Sequence, residues 1–453
     1  MQLRNSPGAS DVCSHTDHSD NPNKLSIKSK LSMATCALLQ AGAPTAQAES
    51  GEWDVDTAFL YYSEDARISV FEPVIRAEKE IDEGEFVKFK LVYDALTGST
   101  PYGAAPSPSA QTITNPSGNS TYSVAPGELP LNNSFKDTRV AFSGDWTIPL
   151  DRLKQITLGA NISTEYDFNS IGVSANYAQD SHDKNRTYTV GLGVSAETWD
   201  PVGGKNTELA YMIDPEGSTP QPKGGSDTKS NFDVMFGLIQ VINRSTIMQF
   251  NLGHSTSSGY LTDPYRYISI IGTDGLPLSG ADLVNAGGPD AFPYIYEKRP
   301  DSRARNTFFW RTAHHLTEDV INVSYRYFTD DWGINSHTLD FRYRYELGGS
   351  HYLQPRLRYY TQSEADFYIN SLTATQASNV EFASADYRLR ELVTTTIGLK
   401  YGVGIGKNSE FTVRAELMNQ TYTITDPNLE ANNLELAPDL DAVIIQLGYH
   451  FFW

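Results

Sequence analysis

Asp441-Ala442-Val443-Ile444-Ile445-Gln446-Leu447-Gly448-Tyr449-His450-Phe451-Phe452-Trp453 decides the fold. Val443, Ile445, Leu447, Tyr449, Phe451 and Trp453 recur at a period of two and make one apolar face. Ile444, Gln446, Gly448, His450 and Phe452 make the other, smaller and mixed in polarity. Such alternation is what a strand with one oily and one wetter face requires. The oily face stays apolar to its end and finishes in aromatics. A soluble domain seldom leaves such an edge bare, because it invites aggregation. A transmembrane barrel pairs it with the first strand and removes the edge. On this stretch alone, the last strand of a soluble sandwich remains the alternative.

Working outward, the same pattern recurs. Trp53, Val55, Thr57, Phe59 and Tyr61 form an outward row with Asp54 and Asp56 between them. The clearest polar row is Thr157, Gly159, Asn161, Ser163, Glu165 and Asp167, opposite Ile156, Leu158, Ala160, Ile162 and Tyr166. Strands follow densely over 305–315, 320–329, 337–347, 351–362, 392–402, 410–421 and 441–453. The spacing predicts a single all-β, antiparallel transmembrane barrel of about 16 strands. Stretches 96–136, 199–229 and 257–302 are read as long loops, the last rich enough in Tyr, Pro and Gly to suggest a folded lid or plug. Every second connection reads as short (Thr317-Glu318-Asp319, Gly348-Gly349) and every other one as long. Sorting by parity is the pattern of short periplasmic turns and long extracellular loops.

Residues 1–48 read as a polar prefix and a cleaved signal peptide, leaving 49–453 as the barrel. Lys24, Lys28 and Lys30 precede a short apolar stretch from Leu31 to Ala43, and Ala46-Gln47-Ala48 supplies the small residues of a cleavage site. Cys36 is a poor lipidation site, because apolar sequence continues past it. Both cysteines, Cys13 and Cys36, fall in the segment removed, so the mature chain is expected to hold no disulfide and no cysteine metal site. The formal net charge of −20 disfavours nucleic acid as a partner. No stretch reaches the roughly 18 apolar residues of a membrane helix. A barrel hides its hydrophobicity in alternate residues, so a mean hydropathy of −0.40 does not oppose one.

Arg326, Arg342, Arg344, Arg356 and Arg358 alternate with Tyr325, Phe341, Tyr343, Leu357 and Tyr359 and are expected to face the lumen. Glu165, Asp167, Asp340 and Glu346 share that parity, as do Asp54, Asp56, Asp145 and Glu416. Charges on the lipid face would cost several kcal/mol at mid-depth. Two uses are open: a pore wall that biases solute passage, or an ion-pair ladder that fills a narrow lumen. Tyr449, Phe451 and Trp453 carry the closing strand. No nucleophile elbow or metalloprotease helix motif is present. His314 and His315 are adjacent, so in a strand their rings point apart and cannot share a metal. The sequence calls for no catalytic residue, no metal and no cofactor.

Several clusters carry a family resemblance: Asp94-Ala95-Leu96-Thr97-Gly98 with Pro101; Ser163, Glu165, Asp167 and Ser170; and Gly259-Tyr260-Leu261 before Asp263-Pro264-Tyr265. Arg299-Pro300-Asp301-Ser302-Arg303, Asp330-Asp331-Trp332-Gly333, and Arg358-Tyr359-Tyr360 with Gln362 continue it. Ala365-Asp366-Phe367-Tyr368 and Ala385-Asp386-Tyr387-Arg388-Leu389 complete it. In this order they resemble the uncharacterised bacterial domain-of-unknown-function family 3570. The resemblance implies an outer-membrane barrel of Gram-negative bacteria and supplies no activity. By their own chemistry, the clusters could knit loops into a lid through Arg–Asp pairs, or serve as turns and an aromatic belt.

The function expected is a passive or gated channel for small polar or ionic solutes. A closed structural or surface-interaction barrel, accessory to an envelope complex, is the alternative, and a barrel hydrolase the third. Expected partners are outer-membrane lipid, the barrel-assembly machinery and small polar solutes, with homo-oligomerisation left open.

Overall fold

The computed structural model describes residues 52–453 except 66, 108–109, 115–120, 202, 214–222, 286–290, 407 and 424–438. The expected signal segment, and with it Cys13 and Cys36, lies outside the described residues.

Sixteen antiparallel strands, each paired with its neighbour in chain order, close into one barrel. The seam joins the first strand, Trp53–Glu64, to the last, Leu440–Phe452. Its register runs from Asp54 opposite Phe452 to Glu64 opposite Ala442. Reciprocal backbone hydrogen bonds between Trp53 and Trp453, 2.6 and 2.9 Å long, finish the ladder. No barrel edge is left to pair with another chain.

Side chains divide as the alternation requires. Val443, Ile445, Leu447 and Tyr449 stand on the outer surface, each about two-fifths exposed, as do Phe59, Phe142, Leu252, Phe341 and Leu357. Only hydrocarbon makes such a continuous apolar band favourable while the backbone stays paired within the sheet. Among the described residues, no helix is long and apolar enough to cross a membrane. Val, Ile, Tyr, Phe and Thr fill these strands because branched and aromatic side chains suit a pleated surface. At the short-turn end, Gly348 and Gly349 both take positive φ, 89° and 66°, as tight hairpins demand.

The structure corrects three boundaries. First, Glu165 and Asp167 do not lie on a lumen-facing strand. The strand ends at Thr164 and the next begins at Phe168, so both acids sit in the connecting turn. The alternation of the sequence runs on for three residues past the strand's end, through a turn that happens to keep the same period. Second, the loop read as 96–136 is shorter. Its flanking strands reach Pro101 and resume at Leu131, and it contains its own hairpin of Gln111–Thr114 and Thr121–Val124. Third, loop length does not alternate strictly. The long connections all fall at one end of the barrel, but 65–67, 165–167 and 331–334 at that end are short.

Candidate functional site: the loop lid and the lumen wall beneath it

Loops 102–130, 200–226, 260–301 and 363–391 fold together over the long-loop end. Tyr267–Ile271 pairs antiparallel with Tyr294–Tyr296 of its own loop and parallel with Ser371–Thr373 of another. Apolar residues in these loops, otherwise out of place in water, form a core. Ala105, Ile268, Ile270, Leu283, Ile295 and Leu372 are all essentially inaccessible. A second cluster brings Tyr102, Ile113, Met212, Tyr267, Tyr294 and Tyr296 together. The unit is therefore a cored lid rather than a set of tethers. The signal that could have revealed it is the buried-strand run Tyr267-Ile268-Ser269-Ile270-Ile271, embedded in a stretch that reads as loop.

A charge knot ties the lid. Arg299 pairs with Glu297 at 2.6 Å and with Asp386 at 2.8 Å. Arg388 pairs with Asp386 at 2.6 Å and with Asp263 at 2.7 Å. Arg266 lies 3.4 Å from Asp263 and 3.9 Å from Asp386. Burial pushes the Asp386 carboxyl up, but Arg388, Arg266 and Arg299 outweigh it and hold it well below the ordinary range. Asp263 is likewise held low against burial by Arg266, Arg388 and Arg299. Glu297 goes the other way: burial raises its carboxyl more than Arg299 lowers it. The Ser384 hydroxyl and the Asp263 N–H both donate to it. Four of these residues, Asp263, Arg299, Asp386 and Arg388, belong to the family clusters. Arg266 and Glu297 escaped the sequence reading, since nothing local marks either as a partner.

Lid and barrel meet at the upper strand ends. The Tyr265 hydroxyl donates to Asp167, and Arg266 donates to the Pro101 carbonyl. This gives Asp167 a role as a lid anchor from its turn. Gln362, at the top of strand His351–Gln362, donates to the carbonyls of Arg388 and Arg390, at 3.0 and 2.7 Å. Trp332 donates to the Ser302 carbonyl at 2.9 Å, and Arg303 stacks over the Trp332 ring at 4.3 Å.

Below the lid, Arg342, Arg344, Arg356, Arg358, Asp340 and Glu346 lie on the face opposite the exposed apolar band. Arg356 is the centre of a ladder. It holds Asp340 at 2.6 Å on one side and Glu416 at 2.9 Å on the other. Arg342 takes the second Asp340 oxygen at 2.8 Å. Lower down, Arg344 pairs with Glu346 at 2.5 Å and stacks 3.6 Å over the Tyr352 ring, whose hydroxyl donates to Glu410 at 2.8 Å. Tyr352 fits because Gly402 faces it: a Cβ there would lie 2.1 Å from the ring. Arg326 stands apart, exposed to the lumen and 5.9 Å from the Phe328 ring. Glu165 joins none of these groups.

Between ladder and lid lies a cavity of about 390 Å³. Arg356, Arg358, Gln362, Thr396 and Gln420 line its wall, and Arg388 of the lid forms part of its roof.

The sequence family described as "Protein of unknown function (DUF3570)" matches residues 28–451. The chain belongs to this family. Its description names no activity, so membership assigns no role to lid or ladder. Curated proteins offer no match. Among solved structures, this family member is similar to the siderophore receptor PirA from Acinetobacter baumannii at 8% identity and a TM-score of 0.40, covering 83% of this chain and 54% of that one. It is similar to a bacterial polysaccharide outer membrane secretin at 6% identity and a TM-score of 0.42, covering 89% of this chain and 99% of that one. A third is OccK2 (OpdF) from Pseudomonas aeruginosa, solved with glucuronate, at 7% identity and a TM-score of 0.39, covering 89% of this chain and 100% of that one. The chain thus spans about half the length of PirA. Likeness of this degree carries no functional implication.

Proposed function

We propose that this protein is an outer-membrane barrel of a Gram-negative bacterium that works as a gated channel for small polar or ionic solutes. The observation that carries the reading is the division of labour above and below the cavity. The lid is held together chiefly by its own core and by loop-to-loop ion pairs, and the lumen wall beneath it is charged and polar. Such a lid can open by parting its loops while the barrel stays paired, because the ion pairs that tie it run from loop to loop. Sixteen strands give a lumen wide enough for water where loops do not fill it. In this reading the lumen charges act on passing ions by their field, and no side chain acts as a catalyst.

The test is single-channel recording of the refolded protein in a planar bilayer, beside Asp386→Asn, which unties the knot. Discrete steps, with a higher open probability in the variant, are expected. A folded barrel silent in both forms would refute the channel. The ordered lid favours one second reading, a closed barrel whose lid is a docking surface, and silence in both forms would turn to it.

A further inference from the structure

Arg358 makes no hydrogen bond or ion pair among the described residues, although acids stand close by. The reason is competition. Asp340 faces Arg358 directly across the strand pair, but Arg356 takes one of its oxygens and Arg342 the other. Glu416 gives both oxygens to Arg356, at 2.9 and 3.0 Å. On its other side Arg358 faces Thr396, which carries no charge. Its guanidinium, a planar fork of five N–H donors, thus lines the cavity with no acceptor among the described residues. Arg388 lines the same cavity from above, with its side chain 53% exposed despite its pairs to Asp386 and Asp263. Among the described residues, the one carboxylate in the lining, Glu416, is already neutralised by Arg356.

We propose that this cavity is a binding subsite for a small organic or inorganic oxyanion, a carboxylate or phosphate, held by the Arg358 guanidinium from the wall and by Arg388 from the lid. This deepens the channel reading and rests on it: the subsite would be where an anionic solute pauses beneath the gate. Three features converge on this chemistry. A planar guanidinium with free edges matches carboxylate and phosphate geometry. Thr396 and Gln420 add neutral donors, which satisfy the remaining lone pairs of an anion. The volume, about 390 Å³, lies at the small end of ligand pockets, which suits a short dicarboxylate or a phosphate and not a polymer. Binding would also couple wall to lid, because one anion bridging Arg358 and Arg388 draws on a residue of the knot. A bound solute would thereby bias the gate.

The full chain, refolded in detergent, should be titrated calorimetrically with succinate, inorganic phosphate and, as the uncharged match, succinamide. Saturable binding of succinate or phosphate, and none of succinamide, is expected; which anion binds tells carboxylate from phosphate. Arg358→Gln should weaken that binding at least tenfold. Thr396→Asp should do the same while keeping the arginine, by giving it an internal partner that favours folding. Arg311→Gln, which removes an arginine bonded at 3.0 Å to Asn322 and outside the cavity, should leave binding within twofold. Absence of saturable binding of either anion would overturn the proposal. So would full retention in Thr396→Asp, or an equal loss in Arg311→Gln. Binding is read here without current. A barrel that binds but never conducts would refute the channel and keep the subsite, and one that conducts without binding would do the reverse.

Discussion

Asp386→Asn should open the lid and leave the barrel intact. Asp386 is 1% exposed, accepts a hydrogen bond from Arg299, and takes Arg388 on both of its oxygens. The amide keeps the shape but removes the charge, leaving Arg266, Arg299 and Arg388 facing only Asp263 and Glu297. Removing one member of a buried ion pair costs about 3–5 kcal/mol, mostly from the charge left behind. Taking the lower end, because Arg388 is half in the lumen and can rehydrate, the loss is about 3 kcal/mol, or roughly a hundredfold in the ratio of open to closed lid. Hydrogen exchange reads this directly. The amides of Tyr267 and Ile270 donate to the carbonyls of Tyr102 and Pro293 within the lid, at 3.1 and 2.8 Å. Their protection should fall by about two orders of magnitude. Amides of strand Leu392–Ile405, paired along their whole length with the neighbouring strands, should not change. Unchanged lid protection, or an equal loss in the strand, would refute a lid held by the knot.

The knot also predicts a pH dependence. Asp263 and Asp386 are depressed, so their contribution is complete above the ordinary aspartate value, about 3.9, and is lost only as pH falls below it toward their folded values. Glu297 is raised, so it weakens the lid as pH rises through the window above the ordinary glutamate value, about 4.3. Lid exchange protection should therefore hold or rise slightly on acidification to about pH 4 and collapse below it; a fall beginning near pH 6 would contradict both signs. Gly402→Ala should drive the Tyr352 ring from its place and break its bond to Glu410, lowering barrel stability by about 1–3 kcal/mol in urea unfolding, whereas a shift below about 0.5 kcal/mol would mean that the ring moves freely. Trp453→Asp puts a charge at the end of the outer face of the closing strand, near the interface, where its direct cost is only about 1 kcal/mol; the heat-modifiable barrel fraction should nevertheless fall, and normal accumulation would sink the closing-strand argument.

The barrel was legible because a strand's period is local. Each residue of Leu440–Phe452 announces its face through its immediate neighbours, and one oily face repeated around the chain implies closure without any knowledge of partners. The same locality explains the error at Glu165 and Asp167. A polar turn of three residues imitates the inward row of a strand, and only the backbone tells them apart.

Pairings were another matter. Sequence parity puts Arg356 and Arg358 on the same face with identical chemistry, yet one is saturated and the other is free. What separates them is register: Arg356 lies opposite Arg342 and Gly398, within reach of Asp340 and Glu416, and by filling both acids it leaves its neighbour without one. The lid was still further from view. Asp263, Glu297 and Asp386 are brought to one knot from two loops that span 260–301 and 363–391, and the apolar core around Ile268 and Ile295, not the local sequence, sets those loops side by side. The clusters that mark the family thus record residues that work together without showing which pairs they make. If the knot and Arg358 act on one solute, a variant at either should change the other's response: Asp386→Asn, by loosening Arg388, should weaken anion binding, and the anion should slow lid exchange in the parent but less in Arg358→Gln. That reciprocity follows from linkage between one ligand and one two-state lid, and its absence would mean that wall and lid are independent structures sharing a barrel.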